Sequence, residues 1–304
     1  MLLNKNKKEY GGDTMDQYVL FTDATADLPN DLFERMDIQV IPMDFEMGGT
    51  NYTHYPDGRE LSSTEFFQRI QNGEMATTSQ INVTRYYDFF TPFLKAGKDI
   101  LYLSFSSGLS GTYQASVLAC NELMEEYKER KIVSIDTLCA SGGEGLLVYM
   151  AAQRKQAGMS MDELVTWVET NRLNICHWFT VDDLHHLKRG GRISAISATF
   201  GTALNIKPLL HVDTEGKLAV HSKIRGKKRC IEKLLECMTE SAIEPDKNPV
   251  VITHSNCYED AAILADKVKE IFHTSDITIS DMSPIIGAHT GSGTLVLTFL
   301  GTQR

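Results

Sequence analysis

The sequence has no apolar run of membrane-spanning length, no Cys-x-x-Cys pair and no GxxxxGK[ST] loop, and each absence removes a class of protein. Without the first, no spanning helix is expected. The opening MLLNKNKKEYGGDTMD is polar and lacks an apolar stretch of signal-peptide length, so a soluble cytoplasmic protein is the expectation. Because Met15 stands just before the first strand-like run, residues 1–15 read as a disordered extension outside the fold. The six cysteines, Cys120, Cys139, Cys176, Cys230, Cys237 and Cys257, are scattered. They suggest free buried thiols in a reducing compartment, not a zinc site or a redox pair. The missing phosphate loop argues against a nucleoside triphosphate as ligand. Positive charge is also in short supply, with 30 Lys and Arg against 40 Asp and Glu and a net charge of -10. Such a chain repels nucleic acid and makes at most transient membrane contact, so any anionic ligand must be held by local groups.

What is present is a long alternation of short apolar runs and amphipathic ones. With 304 residues, 42% of them hydrophobic, the chain can bury a sizeable core, and its length favours two domains. YVLFTD from Tyr18 reads as a strand, NDLFERM as a short helix and IQVIPMDF as a second strand; Ser62 and Glu65 then make a capping-box start to a helix. After the helical RYYDFFTPFLKAG, DILYLSF suits a strand buried on both faces. In the next helix Val117, Cys120, Met124 and Tyr127 form the expected inward stripe. IVSID is a strand, and GEGLLVYMAAQRKQAG and MSMDELVTWVETNRL are helices. Beyond them KPLLHVDTEGKLAVHSKI reads as an antiparallel hairpin turning at DTEG. A helix around CIEKLLECMTE, a strand VVITHS, a helix from Glu259 to Phe272 and strands ITIS and TLVLTFL follow. The fold class expected is α/β with two domains: residues 16–170 around a parallel sheet, residues 171–304 around a mixed or antiparallel sheet, and the ligand in the cleft between them.

Four polar clusters interrupt these runs. SFSSGLSGTY, residues 104–113, lies at a strand-to-helix crossing, where helix N-H groups point outward and ligands of α/β sheets sit. Ser106, Ser107, Ser110 and Thr112 offer hydroxyls, and Gly108 and Gly111 permit close backbone approach, a set suited to a small oxyanion. The alternative is a single capping hydroxyl at Ser110 or Thr112. Ala76-Thr77-Thr78-Ser79-Gln80, taken by itself, reads best as an N-cap for the helix that follows. GAHTGSGT, residues 287–294, surrounds His289 with glycines just before a strand and makes it the functional candidate among nine histidines. LHHLKRGGRIS, residues 184–194, combines the adjacent His185 and His186, which diverge on a helix and do not chelate a metal, with Lys188, Arg189 and Arg192. Arg225, Lys227, Lys228 and Arg229 add a second basic tract, for which a merely solvated face is equally good.

In this order FTDATADLP, TTSQ, SSGLSGTYQAS, DTLCASGGEGLLV, DDLHHLKRGGRIS, NIKPLLHVDTEGKL, THSN and IGAHTGSGT resemble the DegV family of bacterial fatty-acid-binding proteins, which includes the binding subunit of fatty acid kinase. The resemblance runs from about Tyr18 to the C-terminus. It implies a two-domain protein that holds one long-chain fatty acid, such as palmitate, stearate or oleate, and needs no cofactor or metal. A separate ATP-binding kinase subunit would phosphorylate the bound carboxylate to an acyl phosphate for phospholipid synthesis, leaving no catalytic residue in this chain. Carried over, the head-group contacts fall on Thr78 and Ser110 with His289 nearby, and the flanking Ser79, Ser107, Gly111 and Thr112 join them. Arg192, with Lys188 and Arg189, is expected to face the kinase or the transferred phosphate. Ile81 where proline is frequent, Ser292 where the family has GPG, and Ala24 in place of a serine are departures. A serine acyl hydrolase using Ser110 and His289 is the rival reading, although the chain has no GxSxG elbow; a carrier of another anionic lipid is the second.

Overall fold

The structure, a computed structural model, describes residues 18–193, 206–302 and 304. The extension expected over residues 1–15 lies outside the described residues. The first half runs β1 (Tyr18–Asp23), α1 (Asn30–Arg35), β2 (Ile38–Ile41), β3 (Met43–Met47), β4 (Thr50–His54), α2 (Ser63–Gln71), β5 (Ala76–Thr78), α3 (Val83–Lys95), β6 (Asp99–Ser104), α4 (Thr112–Glu126), β7 (Ile132–Asp136), α5 (Gly142–Gln156) and α6 (Met161–Asn171). A 3-10 turn, Arg172–Asn174, leads into the second half. There follow β8 (Ile175–Thr180), α7 (Leu184–Arg189), β9 (Ile206–Val212), β10 (Leu218–Arg225), α8 (Lys227–Ser241), β11 (Val250–His254), α9 (Tyr258–Phe272), β12 (Ile277–Asp281), α10 (Pro284–Thr290) and β13 (Leu295–Leu300).

A parallel sheet in the order β2-β1-β6-β7 and a mixed sheet in the order β10-β9-β8-β13-β11-β12 are both present, as the sequence leads one to expect. The hairpin at DTEG is β9 and β10, and Asp213 closes its turn by accepting the Glu215 and Lys217 amides. A third sheet, β4-β3-β5, was not expected. It arises because IQVIPMDF is two strands: Pro42 has no amide to donate. The chain leaves the parallel sheet at Ile41 and enters the antiparallel one at Met43.

The layers follow from alternation. In β1, Val19 and Phe21 enter an apolar cluster with α3 and α4, while Tyr18 and Leu20 enter another with α1, α5 and α6, so every residue of the strand is buried. The inward stripe of α4 is Ala115, Ser116, Ala119, Cys120 and Leu123, and Met124 is exposed. Large apolar residues misled the pattern here. Small ones let the helix lie close enough for Ser116 Oγ and Ser134 Oγ to meet at 2.6 Å. Helix α5 lies between the parallel sheet and the mixed one, which explains its burial nearly all round. On the far face of the mixed sheet, α8 and α9 pack on Trp178, Leu209, Ile252 and Leu297. The apolar clusters run without interruption from the first half into the second.

Local signals are mostly honoured. Asn82, rather than a residue of TTSQ, caps α3 by accepting the Arg85 amide. Ser62 caps α2, but the reciprocal capping box is found at Ser160 and Glu163 of α6. All six cysteines are unbridged. Among the described residues no helix is long and apolar enough to cross a membrane.

Candidate functional site

Between the parallel sheet, the mixed sheet and α10 lies a chamber of about 270 Å³. Its walls are largely apolar, with Met43, Phe105, Phe179, Leu218, Met282 and Ile285 prominent, and they come from both halves of the chain. Polar residues gather at two places along it.

At the first, four stretches far apart in sequence meet. Thr78 ends β5, and its Oγ1 lies 2.9 Å from His289 Nε2. His289 occupies the last turn of α10, a helix started by Ser283 at the N-cap and Pro284 behind it, and not a loop as the surrounding glycines suggest. Gly111 lies against Gln80 so closely that a Cβ there would stand 2.1 Å from Gln80 Oε1. Gly190 lets the KRGGR turn cross the imidazole edge, where a Cβ would stand 2.4 Å from His289 Nδ1. Arg192 closes the ring, donating through Nε to the Leu109 carbonyl at 3.1 Å and through Nη1 to the Gly190 carbonyl. Thr78, Ser79, Ser110, Gly111, Arg192 and His289 all line the chamber.

Burial holds the His289 imidazole down at about 4, and the Arg192 charge pushes the same way, so the ring is neutral at pH 7. Among the described residues its Nδ1 is buried without a partner. Burial also lowers Arg192. Arg192, expected to face the kinase or the transferred phosphate, is half-buried and lines the chamber, its donors drawn inward to two backbone carbonyls. Lys188 and Arg189 are exposed on α7, where Arg189 Nη2 meets His186 Nδ1 at 2.8 Å.

The serine crossing is less free than its composition suggests. Ser106 is fully buried and donates to the Gly216 carbonyl at 2.8 Å while accepting the Gly108 amide. A Cβ on Gly108 would stand 2.7 Å from the Glu215 carbonyl, so that glycine admits the hairpin turn and not a ligand. Ser107 and Thr112 do not line the chamber: Ser107 is tied by its amide to Asp136, and Thr112 Oγ1 lies 2.9 Å from Ser110 Oγ. Helix α4 has Gly111 at its N-cap and no side-chain cap, although Ser110 Oγ accepts the Thr112 amide at 3.2 Å. Of the four hydroxyls, Ser110 alone reaches the chamber. Two of the departures have visible consequences: Ile81 is buried in the main apolar cluster, and Ser292 Oγ accepts from Gln71 Nε2 at 2.9 Å.

The second polar place was not anticipated. Thr25, Ser141 and His177 line the chamber there, backed by three fully buried carboxyl groups. Ser141 Oγ donates to Asp27 Oδ2 at 2.6 Å, and Asp27 Oδ1 accepts the Ser283 amide at 3.0 Å. Asp23 accepts from the Thr25 amide at 3.0 Å, Tyr102 Oη at 2.8 Å and the Phe105 amide at 3.2 Å, which fixes the start of the serine crossing. Thr25 Oγ1 touches both Asp23 Oδ1 and Glu144 Oε2, the latter at 2.9 Å. One hydroxyl hydrogen cannot serve two acceptors, so one carboxyl carries a proton. Burial, with Asp23 alongside, pushes Glu144 well above the carboxylate range and makes it the proton holder. Burial raises Asp27 to about 7 against its hydrogen bonds from Ser141 and Ser283. His177 is pushed far down by burial and by Arg304, with the Ile175 carbonyl opposing, so it is neutral too; its Nε2 accepts the Ala140 amide at 3.3 Å. A glutamate inside the apolar run GGEGLLV was the one available sequence signal for this network.

Three sheets around a mainly apolar chamber, ringed at one place by hydroxyls, a neutral imidazole and a guanidinium, define an α/β protein with an internal chamber. The chain belongs to the DegV family: the profile of that family, described as uncharacterised proteins, matches residues 17–301. A DegV domain-containing protein of Clostridium perfringens is 42% identical over 290 residues, 95% of this chain and 99% of that one. A DegV protein of Thermus thermophilus, described by its fatty acid binding, superimposes with a TM-score of 0.83 at 29% identity, over 93% of this chain and 99% of that one. One from Ruminococcus gnavus, solved with vaccenic acid, gives 0.84 at 25% identity, over 94% of this chain and all, 100%, of that one.

Proposed function

We propose that this protein binds a long-chain fatty acid, carboxylate at the Thr78, Ser110 and His289 ring and tail along the chamber, and presents it to a separate ATP-dependent kinase subunit in the cytoplasm. The convergence of four separate stretches on one polar ring at the chamber carries this reading. The fatty acids bound by solved relatives support it. Affinity comes from the tail. Each buried CH₂ contributes about 0.8 kcal/mol, so a sixteen-carbon chain offers on the order of 12 kcal/mol gross before ordering costs. The ring orients the head: hydrogen bonds to a charged group add roughly 1.5 to 3 kcal/mol each and must first offset desolvation of the carboxylate.

A neutral His289 donates one hydrogen without adding charge. Arg192, occupied by two carbonyls, supplies a positive field close to the head while leaving carboxylate oxygens open to a phosphoryl donor. The hydrolase reading fares worse. His289 Nε2 faces Thr78 and Ser110 Oγ faces Thr112, so the two supposed partners are each engaged elsewhere. Mass spectrometry of the denatured, purified protein should release a free fatty acid. Recovery of no lipid, together with no binding of added palmitate, stearate or oleate, would overturn the proposal, and a fluorophosphonate that labels Ser110 would favour the hydrolase.

A further inference from the structure

The second polar place is the part of the chamber that an unsubstituted alkyl tail leaves unexplained. Ser141 has φ 52° and ψ -138°, a backbone conformation natural to glycine, yet glycines follow it and the serine is what occupies the position. Its neighbours need to be glycine: a Cβ on Gly142 would stand 2.2 Å from Thr253 Oγ1, and one on Gly143 1.9 Å from His177 Nε2. Ser141 itself carries a hydroxyl, anchored through Asp27 to the amide of Ser283, the N-cap of α10. Its hydrogen goes to Asp27, which leaves its lone pairs for another donor.

Helix α10 also measures the separation of the two polar places. Ser283, bonded to Asp27, caps the helix, and His289, bonded to Thr78, stands in its last turn; six residues at 1.5 Å each span about 9 Å. An extended alkyl chain advances roughly 1.25 Å per carbon for 1.5 Å bonds, so the span corresponds to about seven carbons beyond the head group.

Resting on the fatty-acid reading above, we propose that the chamber selects acyl chains bearing a hydroxyl near mid-chain, the hydroxyl donating to Ser141 Oγ. A second carboxylate does not suit the place, because it would lose its hydration in a mainly apolar chamber, beside the Asp23 carboxyl and with Asp27 already taken by Ser141 and Ser283. An ammonium does not either, since it would lose its hydration in a mainly apolar chamber. A neutral hydroxyl fits both constraints.

The test is a set of affinities for stearate and for hydroxystearates substituted next to the carboxylate, near mid-chain and at the terminal carbon. The positional isomers share composition and nearly share hydrophobicity, so their ratios isolate the place of the hydroxyl. We expect the mid-chain isomer to bind about three- to ten-fold more tightly than the other two, the size of one neutral hydrogen bond. Ser141→Gly, which suits the backbone and removes the hydroxyl, should erase that preference, while Thr78→Ala should weaken all four ligands together. Tight stearate binding with no positional preference, or a preference that survives Ser141→Gly, overturns this inference and leaves the fatty-acid reading standing. Failure of all four ligands to bind overturns both.

Discussion

The parallel sheet sends two neighbouring strands into helices at the chamber, and the two crossings solve the same problem in opposite ways. The β6-to-α4 crossing is rich in hydroxyls, but Ser106 is tied to the hairpin turn, Thr112 to Ser110, and Ser107 lies outside the chamber. The β7-to-α5 crossing offers one chamber-lining hydroxyl, Ser141, held on a glycine-like backbone by a buried carboxyl. Hydroxyl count therefore says little about hydroxyl availability. What decides it is whether the surrounding backbone has already used the group.

Four measurements put this contrast to the test. The largest effect is expected from Gly143→Ala at the second crossing: its Cβ would collide with a buried ring held between two sheets, and we expect a loss of about 3 kcal/mol or more in denaturant unfolding. Stability unchanged within error would show that α5 can shift. Next comes the pH dependence of the same crossing. Asp27 titrates near 7 when folded and near 4 when unfolded, so its contribution is full below about pH 4 and is lost as pH rises through 7. Asp27→Asn should flatten the stability profile between those values by on the order of a few kcal/mol. His289 acts with the opposite sign, its contribution fading as pH falls from about 6.5 toward 4. A profile identical in the Asp27→Asn protein would place the titrating group elsewhere.

Smaller effects separate the hydroxyls of the polar ring from Ser107 of the first crossing. Thr78→Ala and Ser110→Ala should each weaken fatty-acid affinity about three- to ten-fold by calorimetry, since each removes one hydrogen bond at the ring. Ser107→Ala should change it by less than about two-fold, because that side chain does not reach the chamber. Equal losses at Ser107 and Ser110 would erase the distinction drawn between them.

Much of the fold was legible because period and burial agree. YVLFTD and DILYLSF are strands buried on both faces, and the hairpin, α5 and most of α9 fall where their patterns put them. The third sheet was not legible, since Pro42 divides one apolar run between two sheets and only tertiary pairing reveals the partner of each piece. Of the site, the four clusters were visible as glycine and hydroxyl composition. Their meeting was not, because it rests on Gly111 against Gln80 and Gly190 against His289, contacts between residues far apart along the chain. Ser141, Asp27 and Glu144 escaped for a different reason: a buried carboxyl is recognised by the hydrogens it shares, and a sequence does not show sharing.

The placement of α5 between two sheets bears on how the protein comes apart. Because both sheets rest on one helix, severing the chain after α6 would leave the first fragment with a bare helix face and the second with a bare sheet face. Melting is accordingly expected to be a single cooperative event, with calorimetric and van't Hoff enthalpies in agreement, even though the architecture looks divisible on paper.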